Sequence, residues 1–212
     1  AALVQGRRVW EGARAAGQTV GMAFFQQSLG ERLDLVVSPK PIHRHHGGIV
    51  MDCYTRPEPL YAELCAALGR RFDLFRYWGP LARARVGRWI AEAALRILAR
   101  PDAPDHLFVY VPSLDYDLQR HGPASPQAAA ALAETLAQIE PLLAAAEAQG
   151  REWLLAGDYA IEPVVPGDGA IFPNRILRAA GLFHTRETAR MLYPDFFTAR
   201  AFAVVDHQIA HV

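Results

Sequence analysis

The stretch Leu107-Phe108-Val109-Tyr110-Val111-Pro112-Ser113-Leu114-Asp115-Tyr116-Asp117-Leu118-Gln119-Arg120-His121-Gly122-Pro123 decides how the chain is read. Leu107 to Val111 is an apolar run of strand length, rich in β-branched and aromatic side chains, and Pro112 closes it. Downstream, Ser125 is placed as an N-cap and Pro126 at the first helical position. A helix is therefore expected to Gln149, with Gly150 as its stop and Pro141 as a kink. Trp153 to Ala156 reads as a second short strand, Ile171 to Ala180 as a helix closed by Gly181, and Phe202 to Val205 as a last strand. Strand, long helix, strand, helix predicts right-handed crossovers. The expected class is α/β, a doubly wound, mostly parallel sheet flanked by helices.

The first half fits the same plan. Val9, Trp10, Ala13 and Ala16 recur at helical spacing, and Gly17 is placed to end that helix. Val20 to Phe25 reads as a buried strand, and Leu33 to Val37 as another, stopped by Pro39. Ser38 to Pro59 carries Pro39, Pro41, Pro57, the pair Gly47-Gly48 and the run His43-Arg44-His45-His46, which predicts a surface excursion. Helices are expected over Pro59–Arg71 and Leu81–Arg100, joined by an aromatic turn from Phe72 to Pro80.

Composition narrows the functional classes. The chain has 212 residues, a formal net charge of +0 and 51% hydrophobic residues, as in an ordinary globular protein with a real core. A disordered tail would need less apolar content, and a phosphate-backbone binder a basic balance. No sequence-specific nucleic acid is expected as a partner. No stretch reaches the roughly 18 apolar residues of a membrane span, so no membrane partner is expected and a cytoplasmic location is the reading. Cys53 and Cys65 match no zinc or redox spacing and read as reduced thiols. Lys40 is the only lysine; such Ala and Arg enrichment is what GC-rich bacterial coding produces. The chain opens on Ala1 and reads as a fragment of one catalytic domain. Oligomeric state is left open.

Chemistry is expected beyond the carboxyl ends of the strands, where open α/β sheets bind ligands. Leu107–Val111 leads to Asp115, and Trp153–Ala156 leads through Gly157 to Asp158. Two acids placed just past two strands of one sheet suit a metal site, since hard dications take carboxylate oxygen. An aspartate there is equally an ordinary loop or capping residue. Asp117 and His121 are four apart and would share a helix face; His207 and His211 have the same spacing in what looks like a strand, Ala201–Val212. His43, His45 and His46 read as a solvated loop. Arg120 suits phosphate by geometry, although surface ion pairing is its duller role. Walker A, GxGxxG and GxSxG patterns are absent from the sequence.

These residues resemble a known family. Phe108 to Pro123 looks like the metal-binding loop of the nucleotide pyrophosphatase/phosphodiesterases of the alkaline phosphatase superfamily. Aligned on Gly122-Pro123, the family's Asp falls on Asp115 and its His on Gln119. Leu154 to Ile161 looks like the family's Ser-Asp-His-Gly loop, with Asp158 on the Asp and Tyr159 where His is expected. Pro173 to Leu182, Val9-Trp10-Glu11 and Tyr77-Trp78-Gly79-Pro80 are similar to stretches of bacterial members.

The resemblance implies a partial alkaline phosphatase-like fold and a hydrolase of phosphodiester or pyrophosphate bonds. It implies a small phosphorylated substrate and two divalent ions, zinc or manganese. Asp115 would serve one ion and Asp158 the other; Gln119, His121, His207 and His211 are lesser candidates. The nucleophile is expected upstream of residue 1, and residues 38–80 are expected to cap the site. The fragment alone is expected to be inactive. The replaced histidines motivate an alternative, a catalytically degenerate member that binds a phosphorylated metabolite or a protein partner. A hydrolase or mutase elsewhere in the superfamily is a third reading.

Overall fold

A computed structural model describes residues 6–26, 28–163, 169–206 and 209–212. The chain forms two compact units, Ala1–Pro163 and Val164–Val212.

The first unit is built on a four-stranded sheet. Its elements are α1 (Val9–Ala15), β1 (Val20–Ala23), β2 (Leu35–Pro39), β3 (Ile42–His43), β4 (Ile49–Val50), β5 (Cys53–Arg56), α2 (Leu60–Leu68), α3 (Arg85–Leu98), β6 (His106–Val109), α4 (Ser113–His121) and α5 (Pro126–Ala148). A single 3₁₀ turn, Leu74–Arg76, lies between α2 and α3. Strand order is β5-β2-β1-β6, with β1 parallel to both β2 and β6 and β5 antiparallel to β2.

The strands alternate between two apolar faces, as the period of two requires. Val20, Met22 and Val36 face one side with Leu33, against Trp10 and Ala13 of α1 and against Phe108. Ala23, Leu35, Val37, Leu107 and Val109 face the other, against α2 and α3. In α3 the buried residues Val86, Trp89, Ile90, Ala93 and Ile97 recur at helical spacing and form one stripe. Phe24, Phe72, Tyr77 and Trp89 interlock there, with ring centroids 4.5 to 5.8 Å apart. Gly21 lets β1 pass close to its neighbours: a Cβ there would come within 2.8 Å of the Pro104 ring. Helices on both faces of a mostly parallel sheet agree with the expected α/β class.

Several sequence expectations are corrected. Part of Ser38–Pro59 is not an excursion. β5 joins the sheet edge, and its alternation buries Cys53 and Thr55 while leaving Tyr54 and Arg56 outside. Only the β3–β4 hairpin, with His43, His45 and His46 exposed, projects as expected. Trp153–Ala156 is not a strand. The segment joins no sheet, and Leu154 is 92% exposed, so β6 remains an edge. An apolar run without a strand beside it and a layer above it has no ladder to complete. Asp115 does not lie in a loop, because α4 begins at Ser113 and carries it in its first turn.

The second unit holds α6 (Pro173–Ala179), β7 (Thr185–Thr188), β8 (Met191–Pro194), β9 (Val204–Asp206) and β10 (Ile209–His211). Both strand pairs are antiparallel hairpins, so Ala201–Val212 is two short strands rather than one. Asn174 ties α6 to the start of the second hairpin: its side chain donates to Ala203 O at 2.8 Å and accepts from Ala203 N at 2.7 Å. His211 is exposed in β10, and His207 lies outside the described residues.

Candidate functional site

The site is built from α4 outward. Pro112 ends the run from β6, and Ser113 opens α4 fully buried. The Ser113 hydroxyl lies 2.8 Å from Gln138 Oε1 and 3.1 Å from Ala84 O, while Gln138 donates to Ala84 O at 3.1 Å. This buried knot links α4 to α5 and to the start of α3. It needs the missing side chain of Gly87, whose Cβ would fall inside contact distance of both Ser113 Oγ and Gln138 Oε1. Tyr116, one residue past Asp115, donates to Tyr77 O at 2.8 Å. The first turn of α4 is thereby held from two sides, and Asp115 is presented at the carboxyl end of β6.

Asp115 is half-buried and heavily engaged. Gln119, one helical turn on, donates Nε2 to both carboxylate oxygens, at 2.9 and 3.0 Å. The Tyr159 hydroxyl donates to Oδ1. Asp158, its neighbour in sequence, is exposed. Burial, then the charges of Asp158 and Asp115, pushes the Tyr110 phenol up, with Tyr159 offsetting part of the rise. Desolvation, the hydrogen bond to Asp115 and the same two charges push Tyr159 well above the ordinary phenol range. Asp115 and Asp158 therefore act on the same two tyrosines, which stay protonated at neutral pH.

The other candidates sit elsewhere. Asp117 and His121 do share a face of α4, at 3.9 Å, but on the side away from Asp115, where Arg120 is 3.7 Å from Asp117. Arg120 is spent on backbone, donating to Pro80 O and Ala82 O at 3.1 and 2.8 Å. His211 belongs to the second unit. Of the aromatic turn, Tyr77 is core and Trp78 is 48% exposed. Cys53 and Cys65 are both free thiols, and burial pushes Cys53 far up. Among the described residues no helix is long and apolar enough to cross a membrane.

Residues 1–212 match the type I phosphodiesterase/nucleotide pyrophosphatase family along their whole length. The chain belongs to that family. Its members are hydrolases, in general of phosphodiester or pyrophosphate bonds, and are typically metal-dependent. No curated protein and no solved structure matches the chain.

The donor set does not fit the family's ions. A zinc site takes three or four nitrogen, sulfur or carboxylate ligands. Among the described residues no group of three or more His, Cys, Asp or Glu could hold a metal ion. Gln119 turns its amide N–H₂ to Asp115 and Tyr159 turns its O–H there. Tyr110 and Ser113 were not legible as site residues. Tyr110 is hidden within an apolar run, and Ser113 acts through Ala84 and Gln138, both distant in sequence.

Proposed function

We propose that the protein carrying this chain hydrolyses a phosphodiester or pyrophosphate bond of a small phosphorylated substrate. Asp115 and Asp158 mark the substrate-facing end of its sheet. The observation that carries the reading is the Tyr159 hydroxyl held on Asp115 at the start of α4, with Asp158 beside Tyr159 in sequence and its charge felt by Tyr110 and Tyr159. It adds to family membership the place where open α/β sheets bind ligands. No nucleophile is assigned within the chain. Because the donors present do not fit the family's ions, no step is drawn through a metal.

A second reading is a member that binds a phosphorylated metabolite without turning it over. The engagement of both Asp115 oxygens by Gln119 and Tyr159 favours it. Phosphorus NMR of the full protein with a pyrophosphate-linked nucleotide and with phosphodiesters, with Mg²⁺, Mn²⁺ or Zn²⁺ added in turn, separates the two. New phosphate resonances under any metal establish the hydrolase. No new resonance, together with a rise in melting temperature on adding the ester, establishes the binding protein.

A further inference from the structure

Asp115 differs from a waiting metal ligand in one respect: both of its oxygens already accept hydrogen bonds. A carboxylate offers about four lone-pair sites, and an ion must compete with the hydrogen bonds that already fill most of them. Here Gln119 Nε2 lies 2.9 Å from Oδ1 and 3.0 Å from Oδ2, so one amide bridges both oxygens. Tyr159 adds a second donor to Oδ1. The bridging amide is built in by helix geometry, because residues four apart on α4 lie on one face. The phenol comes from the far side of the site, 44 positions along the chain. Tyr159 carries the negative field of Asp115 and Asp158 and remains a donor. The two positions that would supply nitrogen ligands in the family pattern thus supply hydrogen-bond donors, aimed at the carboxylate those ligands would have accompanied.

We propose that Gln119 and Tyr159 form a clamp that closes Asp115 to metal, so that its carboxylate pins the segment around Asp158 to α4. Gln119 and Tyr159 are positioning residues in this account. The clamp rests on reading this end of the sheet as the functional site, but not on whether that site turns substrate over. A charge-assisted pair of hydrogen bonds on one carboxylate competes directly with coordination, since both use the same oxygen lone pairs. Any ion taken up by the protein is then held without Asp115.

Calorimetric titration of the full protein with Zn²⁺ and Mn²⁺, without substrate, tests the clamp. The Asp115→Asn substitution is expected to leave the wild-type metal affinity within about twofold. The double substitution Gln119→His, Tyr159→His is expected to raise Zn²⁺ affinity at least tenfold, and adding Asp115→Ala to abolish that gain. A tenfold or greater loss of wild-type affinity on Asp115→Asn would overturn the proposal. So would a double variant that is folded by circular dichroism and gains no affinity, because the side chains at 119 and 159 would then not converge on Asp115. If the double variant does not fold, the Asp115→Asn titration alone decides. The readout contains no substrate, so a protein without turnover leaves the clamp standing, and a metal on Asp115 sinks it even in an inactive protein.

Discussion

β6 and the segment Trp153–Ala156 each carry an apolar run towards an aspartate, yet only β6 is laddered into the sheet. β6 pairs in register with β1 from Val20↔His106 to Ala23↔Val109. Its start is tied down further: the Asp105 carboxylate accepts from Thr19 N at 2.7 Å and from the Thr19 hydroxyl at 2.8 Å. Leu107 and Val109 rest on the α3 side of the core, and Phe108 on the α1 side. Trp153–Ala156 has none of this. Arg151 reaches Pro104 O at 2.8 Å, the Trp153 indole donates to Glu147 at 3.0 Å, and the run beyond is exposed. Apolar content makes a strand only where an edge and a covering layer are both in place. Asp115 is accordingly set on a rigid element, and Asp158 on a segment joined to it through Tyr159.

The largest effect that could break this comparison comes from charging the two runs. Leu107→Asp should cost about 3 kcal/mol, because an unpaired carboxylate would face the core. Leu154→Asp should change stability by less than about 0.5 kcal/mol, as a surface substitution does. Urea unfolding of both variants checks this, and equal losses would mean that Trp153–Ala156 is as well packed as β6.

Next in size is Gly87→Ala. The added methyl group must displace Ser113 or Gln138 from their buried hydrogen bonds, at a cost of about 2 kcal/mol. Thermal unfolding measures it, and a neutral result would remove the anchor assigned to α4.

Tyr159→Phe sharpens the comparison. Losing one hydrogen bond to a carboxylate should cost about 1 kcal/mol and speed amide exchange in residues 157–163, while the α4 amides keep their protection. Hydrogen exchange resolved by peptide checks both halves.

The smallest effect is on pH dependence. The Thr19 amide, then its hydroxyl, holds the Asp105 carboxyl below its ordinary range. A depressed folded-state value contributes stability above the unfolded pKa of about 4, and that contribution is lost as pH falls through the folded value. Asp105→Asn should therefore flatten the acid side of the stability profile slightly. An unchanged profile in urea melts between about pH 6 and about pH 3 would show that Asp105 does not pin β6.

Local signals carried much of the scaffold. Ser125 caps α5 as its position before Pro126 predicts, accepting from Ala128 N at 3.1 Å, and the helix runs on through Pro141 to Ala148. β1 lies within the apolar run that marked it, and β2 and β6 overlap theirs with ends shifted by one or two residues. β5 was not legible, because four alternating residues stand among prolines and glycines whose turn signals outweigh them. The helical setting of Asp115 was hidden by the Pro-Ser entry, which is anchored by Gln138 and Ala84 rather than by neighbours in sequence. Gln119 and Tyr159 stood out only as replacements for expected histidines. Gln119 faces Asp115 through their four-residue spacing on α4, whereas Tyr159 does so through the way α4 and residues 157–163 come together, which no spacing in the sequence encodes.

The most direct measurement is the hydrolysis of bis(4-nitrophenyl) phosphate by the full protein, its Asp115→Ala variant and its Asp158→Ala variant, each with Mn²⁺ and with Zn²⁺. The account predicts turnover in the wild type and a fall of at least tenfold in kcat/KM in both variants, with folding retained. Full activity in both variants would contradict the assignment of this end of the sheet as the phosphoester site.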